Sequence, residues 1–320
     1  MVAGEVTIDP EIAEFLAIMK ARWAGHPPFD TLDFPGQRAV SEAVRAHWTT
    51  GGPAMAESFE RRFDPGAGEL RIRVYRPEGV AVPAPALVYL HGGGFTLFSI
   101  DTHDRLMREY AAAGGFTVIG VDYPLSPEHV YPVALDRIEA LMLWLKDHGA
   151  TLGVDPGRLA IGGDSAGGNL SFATALRLRA RGEGGLIRAI LSNYGYFTPE
   201  VSDDAEARFG GPGSIMDRAE AQSYYANYLE DWDAGARDPF ACPILAELAG
   251  LPPVMLVIPE CDLLTEQSIA MEARLEAAGV ETEALIYAGA THSFLEAMSI
   301  AAVARRAIRD GADFVRRRLG

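Results

Sequence analysis

An α/β fold with a mostly parallel central sheet flanked by helices is the class the sequence predicts, and three observations predict it. Short apolar runs alternate with helical patterns along most of the chain, as they do when strands buried on both faces are joined by crossover helices. The clearest runs are residues 86–90, 116–121, 159–162, 186–192, 254–258 and 284–287. Glycine-rich turns directly follow two of these runs, at Gly92-Gly93-Gly94 and around Ser165. Apolar residues make up 48% of the 320 residues, enough for a sizeable core.

The elements follow in order. Asp9 precedes Pro10 as an N-cap, and Ile12, Phe15, Leu16 and Met19 recur at helical spacing. A loop with Pro27, Pro28, Pro35 and Gly36 leads to a second helical pattern through Val40, Val44 and Trp48. No strands surround these two helices, so their apolar faces need another surface. Strand character begins near Ser58 and is clearest at residues 70–75, where alternation predicts a half-exposed antiparallel strand. Helices are expected at about 105–113, 133–148, 166–181, 266–278 and 296–317. About sixty residues separate the strands ending near Ser192 and starting at Val254, far more than an ordinary connection needs. A helix capped by Asp217 is expected inside it, with Ala221, Tyr224, Tyr225 and Tyr228 on one face. Residues 1–52 and 199–240 are therefore expected to form a helical cap over a core of residues 53–198 and 241–320.

Composition narrows the function classes. Lys and Arg number 28 against 44 Asp and Glu, and a net charge of −16 repels nucleic acid and anionic lipid surfaces. A neutral small molecule is the easier partner. Cys242 and Cys261 are the only cysteines, which argues against a disulfide framework and fits a reducing, cytoplasmic setting. The start, Met1-Val2-Ala3-Gly4-Glu5, lacks a basic region followed by an apolar core, and no apolar run reaches the length of about 20 residues a membrane span needs.

Gly163-Asp164-Ser165-Ala166-Gly167 is a G-x-S-x-G turn between a strand pattern and a helix pattern, the context that pushes a serine hydroxyl out above a sheet. Ser165 is thus the expected nucleophile. Of seven histidines, His292 alone lies downstream of Ser165, in a loop after the last strand, which is the chain order this chemistry uses. The orienting acid should end the preceding strand, making Asp262 the choice and Glu260 the alternative. Gly92, Gly93 and Gly94 open a loop at a strand's carboxyl end, where bare backbone N–H groups can converge on an oxyanion with that of Ala166. Gly93 and Gly94 are the preferred loop donors. Tyr194 and Phe197 are candidate walls of an acyl pocket, and Phe34 and Phe209 are candidates from the cap.

The motif series resembles the hormone-sensitive-lipase family of esterases: His91-Gly92-Gly93-Gly94-Phe95, Asp122-Tyr123-Pro124-Leu125-Ser126-Pro127-Glu128, Gly163-Asp164-Ser165-Ala166-Gly167-Gly168-Asn169, Asp262-Leu263-Leu264 and His292-Ser293-Phe294. Residues 101–108 and the N-terminal arm are similar to bacterial acetyl esterases. The resemblance spans nearly the whole chain. It implies an α/β-hydrolase fold with a helical cap, activity on short-acyl esters and a Ser165, Asp262, His292 triad. No cofactor is expected, and the expected state is a monomer or homodimer, between which the sequence does not choose. Pro124 and Leu263 depart from the family pattern, which often has arginine and proline there; neither replaces a catalytic group.

Three other constellations have simpler readings. Asp101, His103 and Asp104 lack the compact set of three or four ligands a metal requires and read as a helix start with acidic residues in its first turn. The glycines around Ser165 lack the lysine of a phosphate loop and the spacing of a dinucleotide site. Arg305, Arg306, Arg309 and residues 316–318 gather towards the end of the last helix, where cations complement the helix dipole.

Overall fold

The computed structural model describes residues 7–211 and 214–320, so the first residues, read above for a leader, lie outside it. The strands are β1 (Glu57–Phe63), β2 (Leu70–Arg76), β3 (Ala84–Leu90), β4 (Thr117–Asp122), β5 (Val154–Asp164), β6 (Ile187–Asn193), β7 (Val254–Cys261) and β8 (Thr282–Thr291). They form one sheet in the order β1-β2-β4-β3-β5-β6-β7-β8. β1, β2 and β4 pair antiparallel, and every pairing from β4 through β3 to β8 is parallel. β2 alternates between buried and half-buried residues as expected, whereas the central strands are buried along nearly their whole length.

Helices cover both faces. On one lie α1 (Pro10–Trp23), α2 (Phe34–Thr49), α3 (Asp104–Gly114) and, at the end of the chain, α10 (Ala302–Leu319), sharing a core with Tyr89, Leu191 and Val257. On the other lie α4 (Val133–His148), α5 (Ala166–Ala180), the insertion helices α6 (Asp203–Phe209), α7 (Arg218–Tyr228) and α8 (Trp232–Gly235), and α9 (Thr265–Ala277). The arm therefore finds its surface in the sheet-side helices. Asp9 caps α1 by accepting from the N–H groups of Glu11 and Ile12 at 2.8 and 3.3 Å, and Phe15 meets Trp48 of α2 edge to face at 4.9 Å. Inside the insertion Ser202, Asp217 and Asp231 each cap a short helix, accepting from Ala205, Glu220 and Ala234.

The expected final helix over 296–317 is in fact two pieces. A 3-10 segment, Phe294–Ser299, ends at Ala301, whose extended backbone (φ −95°, ψ 124°) restarts the chain as α10. Phe294 through Met298 are all buried, the charged Glu296 included, so the segment has no solvent-facing side, while α10 carries a regular stripe through Val303, Ala307, Ile308 and Val315. The Asp101 expectation also changes. Helix α3 starts at Asp104 after His103, and Asp101 instead accepts from Arg71 and Arg73 of β2.

Candidate active site

Ser165 stands alone between β5 and α5 with φ 53° and ψ −115°, a backbone conformation a side-chain-bearing residue rarely adopts. The strain persists because strand and helix cross so closely that only glycine fits beside it. A Cβ on Gly163 would stand 2.2 Å from the Leu90 carbonyl oxygen, and one on Gly167 1.9 Å from the same atom. The Ser165 N–H donates to the Asn193 carbonyl (2.9 Å) and its carbonyl accepts from Tyr196 (3.1 Å), tying the turn to the end of β6.

Two further strand ends meet this turn. His292 follows β8, and its Nε2 lies 3.1 Å from Ser165 Oγ while its Nδ1 lies 2.8 Å from Asp262 Oδ2. Asp262 follows β7, is buried, and accepts from the Leu264 N–H through its other oxygen at 3.0 Å. Glu260, the alternative acid, is engaged elsewhere, accepting from the Gly289 N–H at 2.9 Å. It holds the bend of β8 rather than the imidazole. Tyr194 (φ 40°) packs its ring edge to face on His292 at 5.0 Å.

The glycine loop leaves β3 beside Ser165. Gly93 and Gly94 take φ values of 110° and 58°, and their N–H groups form no turn or loop hydrogen bond with the backbone among the described residues. Ala166 opens α5, where an N–H has no intrahelical acceptor. Gly92 serves packing: a Cβ there would meet Asp164 Oδ2 at 2.3 Å. The segment from Tyr123 onward braces this loop. Tyr123 Oη donates to the His91 carbonyl at 2.7 Å, and the Ser126 N–H to the Phe95 carbonyl at 2.9 Å. Arg38 of α2 donates to the carbonyls of Thr96 and Ser126 and pairs with Glu128. Phe95 stacks on Tyr228 of α7 at 3.8 Å, joining loop to insertion.

A cavity of about 550 Å³ opens over Ser165, His292, Gly93 and Gly94. That volume suits a small molecule. Its remaining wall comes from both the arm (Met19, Trp23, Phe29, Arg45) and the insertion (Ile215, Met216, Glu220, Tyr224), with Leu97 and Phe98 from the glycine loop. The four aromatic residues expected as walls do not line it. Tyr194 lies behind His292, and Phe197 is packed against Phe172 in the core and holds its own N–H to Gln267. Phe34 begins α2, and Arg45, eleven residues or about 16 Å further along that helix, is the residue that reaches the cavity. Phe209 lines a neighbouring cavity of about 290 Å³, on the Cys261 and Asp262 side of His292.

A family model described as the alpha/beta hydrolase fold matches residues 87–296. The chain belongs to the hormone-sensitive-lipase branch of the α/β-hydrolases. It is 32% identical to an acetyl esterase of Salmonella typhi over 96% of this chain and 94% of that one. It is 36% identical to the carboxylic ester hydrolase LipN of Mycobacterium tuberculosis over 81% of this chain and 68% of that one. Among solved structures, an esterase of Pyrobaculum calidifontis superimposes with a TM-score of 0.87 at 30% identity, covering 97% and 98% of the two chains. A thermostable esterase of Pseudomonas putida does so at 0.91 and 27%, covering 99% of each.

In this hydrolase the electrostatics beneath Ser165 have no signature in the sequence. Asp164 is buried, which works to raise its pKa, but His103 at 3.3 Å and the Tyr89 hydroxyl at 2.9 Å favour the carboxylate and hold the pKa below its usual value. His91 stacks on Tyr123 at 4.3 Å, and burial, helped by the neighbouring His103, lowers its pKa to about 4, so it stays neutral. Their signal lay in hydrogen-bond partners 61 and 75 residues apart, which one-dimensional spacing does not carry. Tyr224 was read as part of one buried face. Ala221, Tyr225 and Tyr228 form that stripe, and Tyr224 turns to the cavity beside Gly94, donating to Glu220 at 2.7 Å. Protein on most sides pushes the Glu220 pKa up although the side chain keeps a view of the cavity mouth. Cys242 and Cys261 are both free and buried. Among the described residues no helix is long and apolar enough to cross a membrane.

Proposed function

We propose that this chain is a serine carboxylesterase acting on small esters with short acyl groups through an acyl-enzyme. Ser165 attacks the ester carbonyl while His292 Nε2 takes its proton. The oxyanion develops towards the N–H groups of Gly93, Gly94 and Ala166, three preorganised donors each of which is typically worth about 3 kcal/mol to such a transition state. His292 returns the proton to the departing alcohol, then activates water to cleave the acyl-enzyme, and Asp262 holds the imidazole tautomer and stabilises the imidazolium. The observation that carries this reading is the continuous chain from Ser165 Oγ through His292 to Asp262, with links of 3.1 and 2.8 Å, opening on the floor of a cavity.

Short-acyl preference is supported by the named activity of the Salmonella relative. Initial rates on p-nitrophenyl esters from acetate to decanoate test it. An optimum in kcat/KM between acetate and butyrate is expected, and a preference for decanoate overturns it. Matching anilides separate the esterase from an amidase on the same fold, since faster anilide cleavage would reverse the assignment. The two free, buried thiols support the reading of a reducing compartment, the cytoplasm, as the working site.

A further inference from the structure

Consecutive glycines give the loop after β3 its bare N–H groups, and the same lack of side chains leaves the loop free to point them in many directions. The strand ends at Leu90, so the ladder does not fix Gly93 and Gly94. Within the loop the Gly93 carbonyl accepts from the Thr96 and Leu97 N–H groups at 3.0 and 2.8 Å, and the Gly94 carbonyl accepts from Thr96 Oγ1 at 3.1 Å. These bonds close residues 93–97 into one tight turn but do not orient it over Ser165. Orientation comes from outside. Tyr123 holds the near end at the His91 carbonyl, and the Ser126 N–H and the Tyr228 ring hold Phe95 in the middle.

Arg38 of α2 holds the far end. Its Nε donates to the Thr96 carbonyl at 2.8 Å and Nη2 to the Ser126 carbonyl at 2.9 Å, while Nη1 and Nη2 donate to the two Glu128 oxygens at 2.9 and 2.6 Å. Every one of these acceptors lies in the glycine loop or its brace, 58 to 90 residues away in sequence. The Arg38 hydrogen bonds are also the first cause that holds the Glu128 carboxyl below its usual range. A planar guanidinium can fix acceptors along two edges at once, which a single ammonium cannot. Arg38 does not line the cavity over Ser165, unlike Met19, Trp23 and Phe29 of the same arm. Those three shape the space a substrate fills, whereas Arg38 belongs by contact to the glycine loop.

Resting on the ester-hydrolase reading above, we infer that Arg38 is a positioning residue for the oxyanion hole: by clamping the Thr96 and Ser126 carbonyls it aims the Gly93 and Gly94 N–H groups at the reacting carbonyl. Its loss slows turnover and leaves unchanged what fits the cavity. Thr96 is only two residues beyond Gly94, so a tilt of the closed turn at that end moves both donors together. Donors count in catalysis only where they meet the developing oxyanion, so a small tilt weakens the transition state more than the bound substrate.

Two inhibitors that differ in whether they form an oxyanion test this beside turnover of p-nitrophenyl acetate. With 4-phenyl-1,1,1-trifluoro-2-butanone, Ser165 Oγ bonds to the carbonyl carbon, the carbonyl π pair moves to oxygen as an alkoxide, and the serine proton passes to His292. The matching alcohol, 4-phenyl-1,1,1-trifluoro-2-butanol, fills the same space without reacting. In Arg38→Met, kcat/KM for the acetate and affinity for the ketone should fall together by about tenfold, less than the roughly 10²-fold or more for a donor removed outright, while the Ki of the alcohol stays at its wild-type value. Arg38→Lys keeps the charge but cannot span the acceptors, and should lose ketone affinity likewise if Arg38→Met does not fold. Glu128→Gln leaves both carbonyl bonds of Arg38 in place and should lose less. A ratio of the two Ki values that is unchanged in the folded Arg38 variants overturns the inference, and so does an equal rise in both, which would make Arg38 a support of cavity shape. A wild type that neither hydrolyses the acetate nor binds the ketone more tightly than the alcohol would instead overturn the esterase reading beneath it.

Discussion

The floor of the cavity and its roof are built on different physical terms. The floor is made of strand ends: Ser165 after β5, Asp262 after β7, His292 after β8 and the glycine loop after β3. Each is anchored by backbone hydrogen bonds within a few residues of the sheet, so position is set by the ladder itself. The roof is made of two segments far apart in sequence, the arm and the insertion, each held to loops of the core through side chains, Tyr228 of the insertion on Phe95 and Arg38 of the arm on Glu128. Substitutions in the floor should therefore change turnover, and those in the roof should change which ester is turned over.

The sharpest test lies in the floor. Ser165→Ala should lower kcat by at least about 10⁴-fold with unchanged thermal stability, since what remains of such a site without its nucleophile is oxyanion stabilisation and binding. Asp262→Asn should cost about 10⁴-fold in kcat, whereas Glu260→Gln should register mainly as a lower melting temperature because Glu260 holds Gly289 and not the imidazole. Equal kinetic losses from the two would leave the acid unassigned. At the seam between the regions, Gly94→Ala places a methyl group 2.2 Å from the Tyr224 ring at a φ of 58°. A fall in kcat of about 10²-fold is expected from the displaced donor, partly restored by adding Tyr224→Ala. Failure of the second change to restore anything would mean that floor and roof do not touch there in any way that matters.

In the roof, Trp23→Ala and Phe29→Ala should shift the acyl-length profile, with each lost methylene contact weakening kcat/KM by about fourfold and acetate affected least. The smallest expected effect concerns pH. His91 has a folded pKa of about 4 against an ordinary 6.5 because burial opposes its charge. Between those values the unfolded chain binds more protons than the folded one, so the part of stability linked to His91 is complete above pH 6.5 and declines as pH falls towards 4. Melting temperatures at several pH values for wild type and His91→Asn should show a shallower acid decline in the variant.

The same division governs what could be read from the chain. Floor residues announce themselves because strand-to-loop junctions have local signatures, glycines where φ is positive and an acid or base in fixed chain order. Roof residues do not, since Trp23, Phe29 and Arg45 look like any helix or loop residue until tertiary packing turns them towards the cavity. Aromatic character alone misled at Tyr194 and Phe197: Tyr194, directly after β6, is buried against His292 and Phe294, and Phe197 packs on Phe172 of α5, so both are supports rather than walls. Helical spacing placed α7 and its cap at Asp217 but could not tell Tyr224 from Tyr225, one position and about 100° of helix apart. The break at Ala301 was invisible for a related reason. Phe294, Leu295, Ala297 and Met298 are apolar at every spacing, so they fit a helix continuing into α10 as well as the turn they form.

The Leu90 carbonyl oxygen lies against both Gly163 and Gly167, and Leu90 is also the last residue of β3 before the glycine loop begins. One peptide group thus serves as a gauge block between the Ser165 turn and the glycine loop. The spacing that chemistry depends on is set by contact across a single atom, and no reshaping of the arm or insertion passes through it. Lineages of such enzymes can exchange their roofs for new substrates while the reacting geometry stays calibrated, provided those two positions remain glycine.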